Sequence, residues 1–307
     1  MREDRIVIIS GPTASRKTET ALSLAKRHGL PIVNFDSLLF YRELNIATAK
    51  PTPEEMEGVD HYLMDFQSAK DPINAAQFSK LARGTIESLH KKGVIPILVG
   101  GSGFYLKGLL AGMGDTLPPS EKSIERSKVL YEKEGIDPFR KILEKQDPTN
   151  FHKLHPNDHY RIRRAVEFYW SRGRPFSSHE GEGNRLPSWR ECHLYFCIEK
   201  EQHWKMIEAR SKKIVEKGLV EEVRGLLRQG FTGREKPLQS IGPKEAFEYL
   251  AGTIEGHEQL IERLSISTRQ LAKAQKTFFA HFTSKESFDP LKELSSIEKR
   301  FSNFTAN

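Results

Sequence analysis

The stretch Arg5–Gly29, RIVIISGPTASRKTETALSLAKRHG, decides how the rest of the chain is read. RIVIIS is short, apolar and rich in branched side chains, which predicts a buried strand. KTETALSLAKRH has the periodicity of an amphipathic helix, and Gly29 is its stop signal. Between them lies Gly11-Pro12-Thr13-Ala14-Ser15-Arg16-Lys17-Thr18, which nearly fits the phosphate-binding pattern G-x-x-x-x-G-K-[ST]. In such a loop consecutive backbone N–H groups point inward and the helix N-terminus adds positive potential. A lysine neutralises phosphate oxygens, and a hydroxyl helps hold Mg²⁺. Arg16 stands where the pattern has its second glycine. A right-handed backbone there accepts arginine, whereas a positive φ penalises it.

Working outward, LPIVNFDS (30–37) predicts a second strand ending at Asp36 and Ser37. The polar stretch ELNIATAKPTPEE leads to HYLMDF, and INAAQFSKLARGTIESLHKKG predicts a helix stopped by Gly93. VIPILVGG (94–101) is a continuous apolar run, suited to a strand covered on both faces. Strands alternating with helices indicate an α/β fold, a parallel sheet of the P-loop NTPase type flanked by helices. Ligands then sit at the carboxyl ends of strands, where Gly11, Asp36 and Gly100 fall.

Composition shifts after Gly114. Three charge-rich amphipathic runs, PPSEKSIERSKVLYEKEG, DPFRKILEKQ and HYRIRRAVEFYWSRG, predict a helical insertion over 115–190, with SSHEGEGNRLPS as a returning loop. A strand, HLYFCIE, and helices around 201–229, 243–250 and 256–282 complete the pattern. The expected division is a discontinuous catalytic core at 1–114 and 191–285, the insertion at 115–190, and a C-terminal tail at 286–307.

Lys+Arg 48 against Asp+Glu 41 gives a net charge of +7, which hints at an anionic partner without naming one. The 37% hydrophobic content is enough for a sizeable core and excludes a wholly disordered chain. No apolar run approaches the roughly 18 residues of a membrane span, and MREDRIVIISG does not read as a signal peptide. With Cys192 and Cys197 alone there is no disulfide framework, so a reducing cytoplasm is expected. Their odd spacing in a strand puts them on opposite faces, which favours burial over metal binding.

The phosphate loop by itself suggests an ATP-dependent kinase acting on a small molecule. However, the strand at VIPILVGG ends in Gly100-Gly101-Ser102-Gly103, with no carboxylate to organise Mg²⁺. Asp36 is open to three readings: metal organiser, general base facing an acceptor, or turn residue. In HPNDHYRIRRAVE, Arg161 and Arg164 share a helical face, with Arg163 and Tyr160 close by. Arg269, Lys273 and Lys276 form another basic face at spacings of four and three. Each suits RNA phosphates and bases, or a solvated salt-bridge ladder.

In combination these segments resemble the tRNA dimethylallyltransferase family, also called tRNA isopentenyltransferase, in its bacterial form without a zinc finger. The resemblance runs in order from about residue 5 to 283 through GPTASRKT, DSLLFYRELNIATAKPT, DHYLMDF, PILVGGSGFYLKGLL, HPNDHYRIRRAVE, GLVEEV, SIGPKEA and TRQLAKAQKT. It implies transfer of a dimethylallyl group from dimethylallyl diphosphate to N6 of the adenosine 3′ of the anticodon. The phosphate loop would then hold the prenyl donor's diphosphate through Gly11, Thr13, Ala14, Ser15, Arg16, Lys17 and Thr18, with Thr18 placing Mg²⁺. The resemblance gives Arg210 a role in supporting the leaving group and Asp36 that of N6 proton acceptor. Ser102 would contact the flipped adenosine in place of a usual threonine. The tRNA anticodon stem-loop would meet Asp36, Ser37, Leu38, Leu39 and Ser102, and also Tyr160, Arg161, Arg163, Arg164, Arg269, Lys273 and Lys276. A cytoplasmic monomer is expected. Departures from the family pattern are Arg16, Met206, Pro243, Ala274 and Phe278; an RNA-binding homologue with weakened catalysis is the alternative they raise, beside the kinase.

Overall fold

In a computed structural model, residues 4–112, 119–179 and 188–306 are described. The opening strand is β1 (Arg5–Ser10), and α1 (Lys17–His28) follows the loop. Next come β2 (Ile32–Asn34), β3 (His61–Tyr62), α2 (Ala75–Lys91), β4 (Ile97–Gly100) and α3 (Gly103–Ala111). Four helices follow: α4 (Glu121–Glu134), α5 (Asp137–Gln146), α6 (Pro148–Lys153) and α7 (His159–Arg172). The chain returns through β5 (Arg190–Phe196), α8 (Lys200–Glu216), α9 (Leu219–Arg228), α10 (Pro243–Leu250), α11 (Gly256–Phe279), β6 (Lys285–Phe288) and α12 (Leu294–Ala306).

The strands form one sheet in the order β3-β2-β4-β1-β5-β6, with every neighbouring pair parallel. The path from β1 to β2 skips over β4, while β5 lies on β1's other side, so β1 marks the switch point at which such sheets bind ligands. RIVIIS reads as an unbroken apolar run because both faces of β1 are covered. Ile6 and Ile8 pack with Phe78, Ile86 and Leu106, whereas Val7 and Ile9 pack with Ala21, Leu24 and Phe301. Each such side chain contributes about 1.5–3 kcal/mol by leaving water.

Three expectations change. The run VIPILVGG yields only a four-residue strand, because Val94 closes the preceding helix by donating its N–H to Leu89 O at 3.0 Å, and Pro96 has no N–H to give. The helix expected over 201–229 breaks into α8 and α9 at Gly218, whose φ is +100°. The expected tail at 286–307 is part of the core: β6 pairs with β5, and Ile297, Phe301 and Phe304 of α12 pack into the sheet face lined by Val7 and Ile9. Its sequence looks like a tail because only one stripe of α12 is apolar and β6 is an edge strand.

The chain divides into two compact units, Met1–Leu110 with Pro187–Asn307, and Ala111–Leu186. Among its described residues the second has helices and no strand, and it packs around Phe139, Leu143, Ile162, Ala165 and Val166. The expected boundary at 114–115 and most of SSHEGEGNRLPS lie outside the described residues. Cys192 and Cys197 pack against clusters on opposite sheet faces. No helix among the described residues is long and apolar enough to cross a membrane.

Candidate active site

At the end of β1, Gly11 turns the chain with φ +153°, and a Cβ there would lie 2.6 Å from the Phe196 carbonyl oxygen. Two residues of the loop are left-handed without being glycine, Ala14 at φ +57° and Arg16 at φ +61°. Arg16 therefore takes the penalised backbone, at a cost of about 1–2 kcal/mol. Its side chain is exposed and turns outward, donating from Nε to Glu19 Oε2 at 2.7 Å. Among the described residues the N–H groups of Ser15, Arg16, Lys17 and Thr18 meet no protein acceptor. Four unpaired donors at the positive end of α1 form a cradle for an anion. The adjoining Thr18 side chain is exposed.

Lys17 is buried and donates from Nζ to Pro12 O at 2.6 Å. Burial lowers its pKa to about 7; Asp36 partly offsets this and Arg210 adds to it. Arg210, on α8, donates from Nη2 to Thr48 O at 3.0 Å, and its own pKa is lowered by burial and raised by Asp36. Three charged groups from distant parts of the sequence therefore share one electrostatic field. Two cations facing one carboxylate leave the site short of negative charge, as an anionic ligand requires.

Asp36 caps a turn after β2. Its Oδ1 accepts the Leu38 N–H at 3.2 Å, and its carbonyl accepts the Leu39 N–H at 3.2 Å. This is turn geometry, and it aims the carboxylate without excluding a second role. Asn34 braces the turn, accepting the Asp36 N–H at 2.8 Å and donating to Asp36 O and Leu63 O. Ser102, after β4, accepts the Ser37 N–H at 3.1 Å and donates to Ser37 Oγ at 3.2 Å. The Asp36–Leu39 turn and the glycine turn at 100–103 are thus one structural element. Gly100 permits it, because a Cβ there would lie 2.7 Å from the Phe35 carbonyl carbon and 2.8 Å from the Asp36 nitrogen.

Three contributors carry no role in the sequence reading. Gln275 accepts the Thr13 N–H at 2.8 Å and donates to Gly101 O at 3.0 Å. His203 reaches the Thr13 carbonyl at 2.8 Å. Glu222 accepts the N–H groups of Asn45, Ile46 and Ala47 at 2.8, 2.7 and 3.0 Å, fixing the segment that carries Thr48 to Arg210. The sequence holds a signal for two of them: Gln275 lies in TRQLAKAQKT and Glu222 in GLVEEV, segments that carry the family resemblance, and Gly101 leaves the space beside Gln275, where a Cβ would come within 2.7 Å of Nε2.

The expected RNA residues divide by environment. In the helical unit Tyr160 is 74% exposed and Arg161 is exposed beside Asp158, whereas Arg164 reaches the buried Glu167 at 3.4 Å. Arg163 is half-buried and held within the unit. Its Nε donates to Ser127 Oγ at 3.1 Å and its guanidinium stacks 4.4 Å from the Tyr131 ring centre, so it braces the unit's own packing. In the core, Arg269 and Lys273 on α11 lie 5.1 and 5.7 Å from the Trp204 ring centre, and Arg269 also meets Glu208 at 3.4 Å. Lys276 shares their helix and adds positive potential at His203. Among the departures, Pro243 is the first residue of α10, where a missing N–H costs nothing, and the Phe278 ring covers Gly103. Nothing in the structure explains Met206 or Ala274.

The family described as IPP transferase matches residues 39–282, a span that excludes the phosphate loop and so supports the assignment independently of it. The chain is 40% identical to tRNA dimethylallyltransferase 2 of Geotalea uraniireducens, covering 90% of each. It is 36% identical to the tRNA dimethylallyltransferase of Lachnoclostridium phytofermentans, covering 89% of this chain and 88% of the relative. Among solved structures it resembles the full-length tRNA isopentenylpyrophosphate transferase of Bacillus halodurans, with a TM-score of 0.72, 29% identity, and 99% and 97% coverage of the two chains. It also resembles a eukaryotic dimethylallyltransferase acting on tRNA, with a TM-score of 0.81, 25% identity, and 97% and 78% coverage. With a phosphate-loop sheet, an anion cradle beside a carboxylate turn, and likeness along nearly its whole length, the chain belongs to the tRNA dimethylallyltransferase (IPP transferase) family.

Proposed function

We propose that the protein transfers a dimethylallyl group from dimethylallyl diphosphate to N6 of the adenosine 3′-adjacent to the anticodon of tRNA, releasing diphosphate. The observation that carries this reading is the meeting of unpaired loop N–H groups, Lys17 and Arg210 with the Asp36 carboxylate at one edge of the sheet. Family membership sets aside the small-molecule kinase reading.

On this reading the N–H groups of Ser15 to Thr18 bind the diphosphate, and Lys17 and Arg210 stabilise the charge that grows as the allylic C–O bond breaks. The new C–N bond forms to N6, and Asp36 takes the proton the amine loses. Exocyclic adenine nitrogen is a weak nucleophile, so both aids are needed. The adenosine leaves the anticodon stack to enter beside Ser37, Leu38, Leu39 and Ser102. Tyr160, Arg161 and Arg164 of the helical unit, and Arg269, Lys273 and Lys276 of the core, serve the stem-loop phosphates. The donor set fits Mg²⁺ delivered with the diphosphate: the exposed Thr18 hydroxyl adjoins the cradle, and such ions keep waters and phosphate oxygens as most of their ligands. Bound there, Mg²⁺ supplies charge neutralisation of the leaving group. The protein acts as a monomer in the cytoplasm.

Incubation with labelled dimethylallyl diphosphate and unmodified tRNA tests the reading: label enters the RNA. ATP-dependent turnover without label sinks it, and salt-dependent tRNA binding without transfer would mark a binding homologue. Asp36→Ala lowers the single-turnover rate by about 10²-fold or more while donor binding persists, and an unchanged rate removes Asp36 from its role.

A further inference from the structure

Two helices reach the phosphate loop and meet on one residue. His203, on α8 and 1% exposed, places Nε2 at 2.8 Å from the Thr13 carbonyl oxygen. Since a carbonyl can only accept, the proton is on Nε2 and the imidazole donates. Gln275, on α11, accepts the Thr13 N–H on Oε1 and donates from Nε2 to Gly101 O. Both backbone polar groups of Thr13 are therefore held by side chains, immediately before the left-handed residues Ala14 and Arg16. Strained backbone of this kind persists only where its surroundings over-determine it. The connection continues past Gly101 to Ser102, which bonds Ser37 next to Asp36.

We propose that His203 and Gln275 are positioning residues that clamp Thr13 from both sides, holding the loop in its diphosphate-binding shape against the strain at Ala14 and Arg16 and setting its distance from the Asp36 turn. This rests on the diphosphate reading of the loop. Neither side chain touches the reacting atoms; both act through the backbone between them. Arg16 and the clamp are thereby coupled: a chain with glycine at position 16 needs less holding.

The test is a double-mutant cycle on the full chain, read by calorimetric binding of inorganic diphosphate and by steady-state kinetics. His203→Leu removes the donor at similar volume. It raises the diphosphate dissociation constant and the KM for dimethylallyl diphosphate by about tenfold, with kcat changed by less than about threefold, since one hydrogen bond to the half-buried Thr13 carbonyl is lost. His203→Gln, which can still donate, recovers much of the loss. Arg16→Gly in the His203→Leu background also recovers most of the lost diphosphate affinity, although in the wild-type background it changes that affinity by less than about twofold, a non-additivity that a general change in stability would not produce. Should His203→Leu fail to fold, Gln275→Met enters the same cycle. Diphosphate binding within about twofold of wild type in both single variants, or a loss that Arg16→Gly leaves untouched, overturns the clamp. Wild-type protein that binds no diphosphate overturns the loop reading itself, and the clamp with it.

Discussion

Two turns lie side by side at the carboxyl edge of the sheet, the phosphate loop at 11–18 after β1 and the glycine turn at 100–103 after β4, and they solve the same problem differently. The first holds an unusual backbone with alanine and arginine in the left-handed region. The second keeps glycine because neighbours occupy the space a Cβ would need: the Phe35–Asp36 backbone at Gly100, Gln275 at Gly101 and Phe278 at Gly103. Glycine thus answers two distinct demands, one of torsion and one of space. A torsional demand can be met by spending a kilocalorie or two and adding hydrogen bonds; a backbone in the way cannot be moved so cheaply.

This contrast breaks if the glycine turn proves permissive, so Gly100→Ala is its severest test. The new methyl would press on main-chain atoms of Phe35 and Asp36, and we expect a loss of about 1–3 kcal/mol in unfolding free energy. The transfer rate should fall more than about tenfold because the Asp36 turn is displaced. Denaturant melts and single-turnover kinetics check both, and near-wild-type values would show that space is not the reason for glycine.

Lys17 gives the next largest effect and sharpens what the first turn does. Burial lowers its pKa to about 7, so the free protein loses this charge as pH rises through neutrality. An anionic diphosphate beside it restores the charged form, so binding takes up a proton above about pH 7. Affinity should therefore fall by up to about tenfold per pH unit between about 7 and 9, beyond the slope of a Lys17→Arg variant, whose guanidinium stays charged. The sign for stability runs the other way: the unfolded lysine titrates near 10.5, so it binds the proton that the folded one has lost, and the free protein gains stability from about pH 7 to 10.5. Calorimetric titrations across that range would contradict the assignment if both proteins shared one slope.

The smallest effect lies at Arg16. Arg16→Gly relieves the left-handed penalty but loosens the unfolded chain, for a net gain of about 0.5–1 kcal/mol in the otherwise unchanged protein. A loss of stability would mean that the arginine contributes more through Glu19 than its exposed setting allows.

The sequence by itself determined the alternation of strands and helices in a parallel sheet, the ligand edge and a change from core to helical composition after Gly114. Strand-turn-helix periodicity and a lysine at fixed spacing after a glycine are local patterns, and local patterns are written in consecutive residues. It stated the alternatives at Arg16 but could not choose between them, because a φ angle depends on what surrounds it. The tertiary structure alone decided that Arg16 is left-handed, that β6 and α12 complete the core, and that Arg163 faces inward onto Tyr131. It also brought Gln275, His203 and Glu222 to loops more than 170 residues away, through hydrogen bonds that no spacing encodes. A glutamine on a helix has many possible partners; only the packing of α8 and α11 beside the end of β1 selects Thr13.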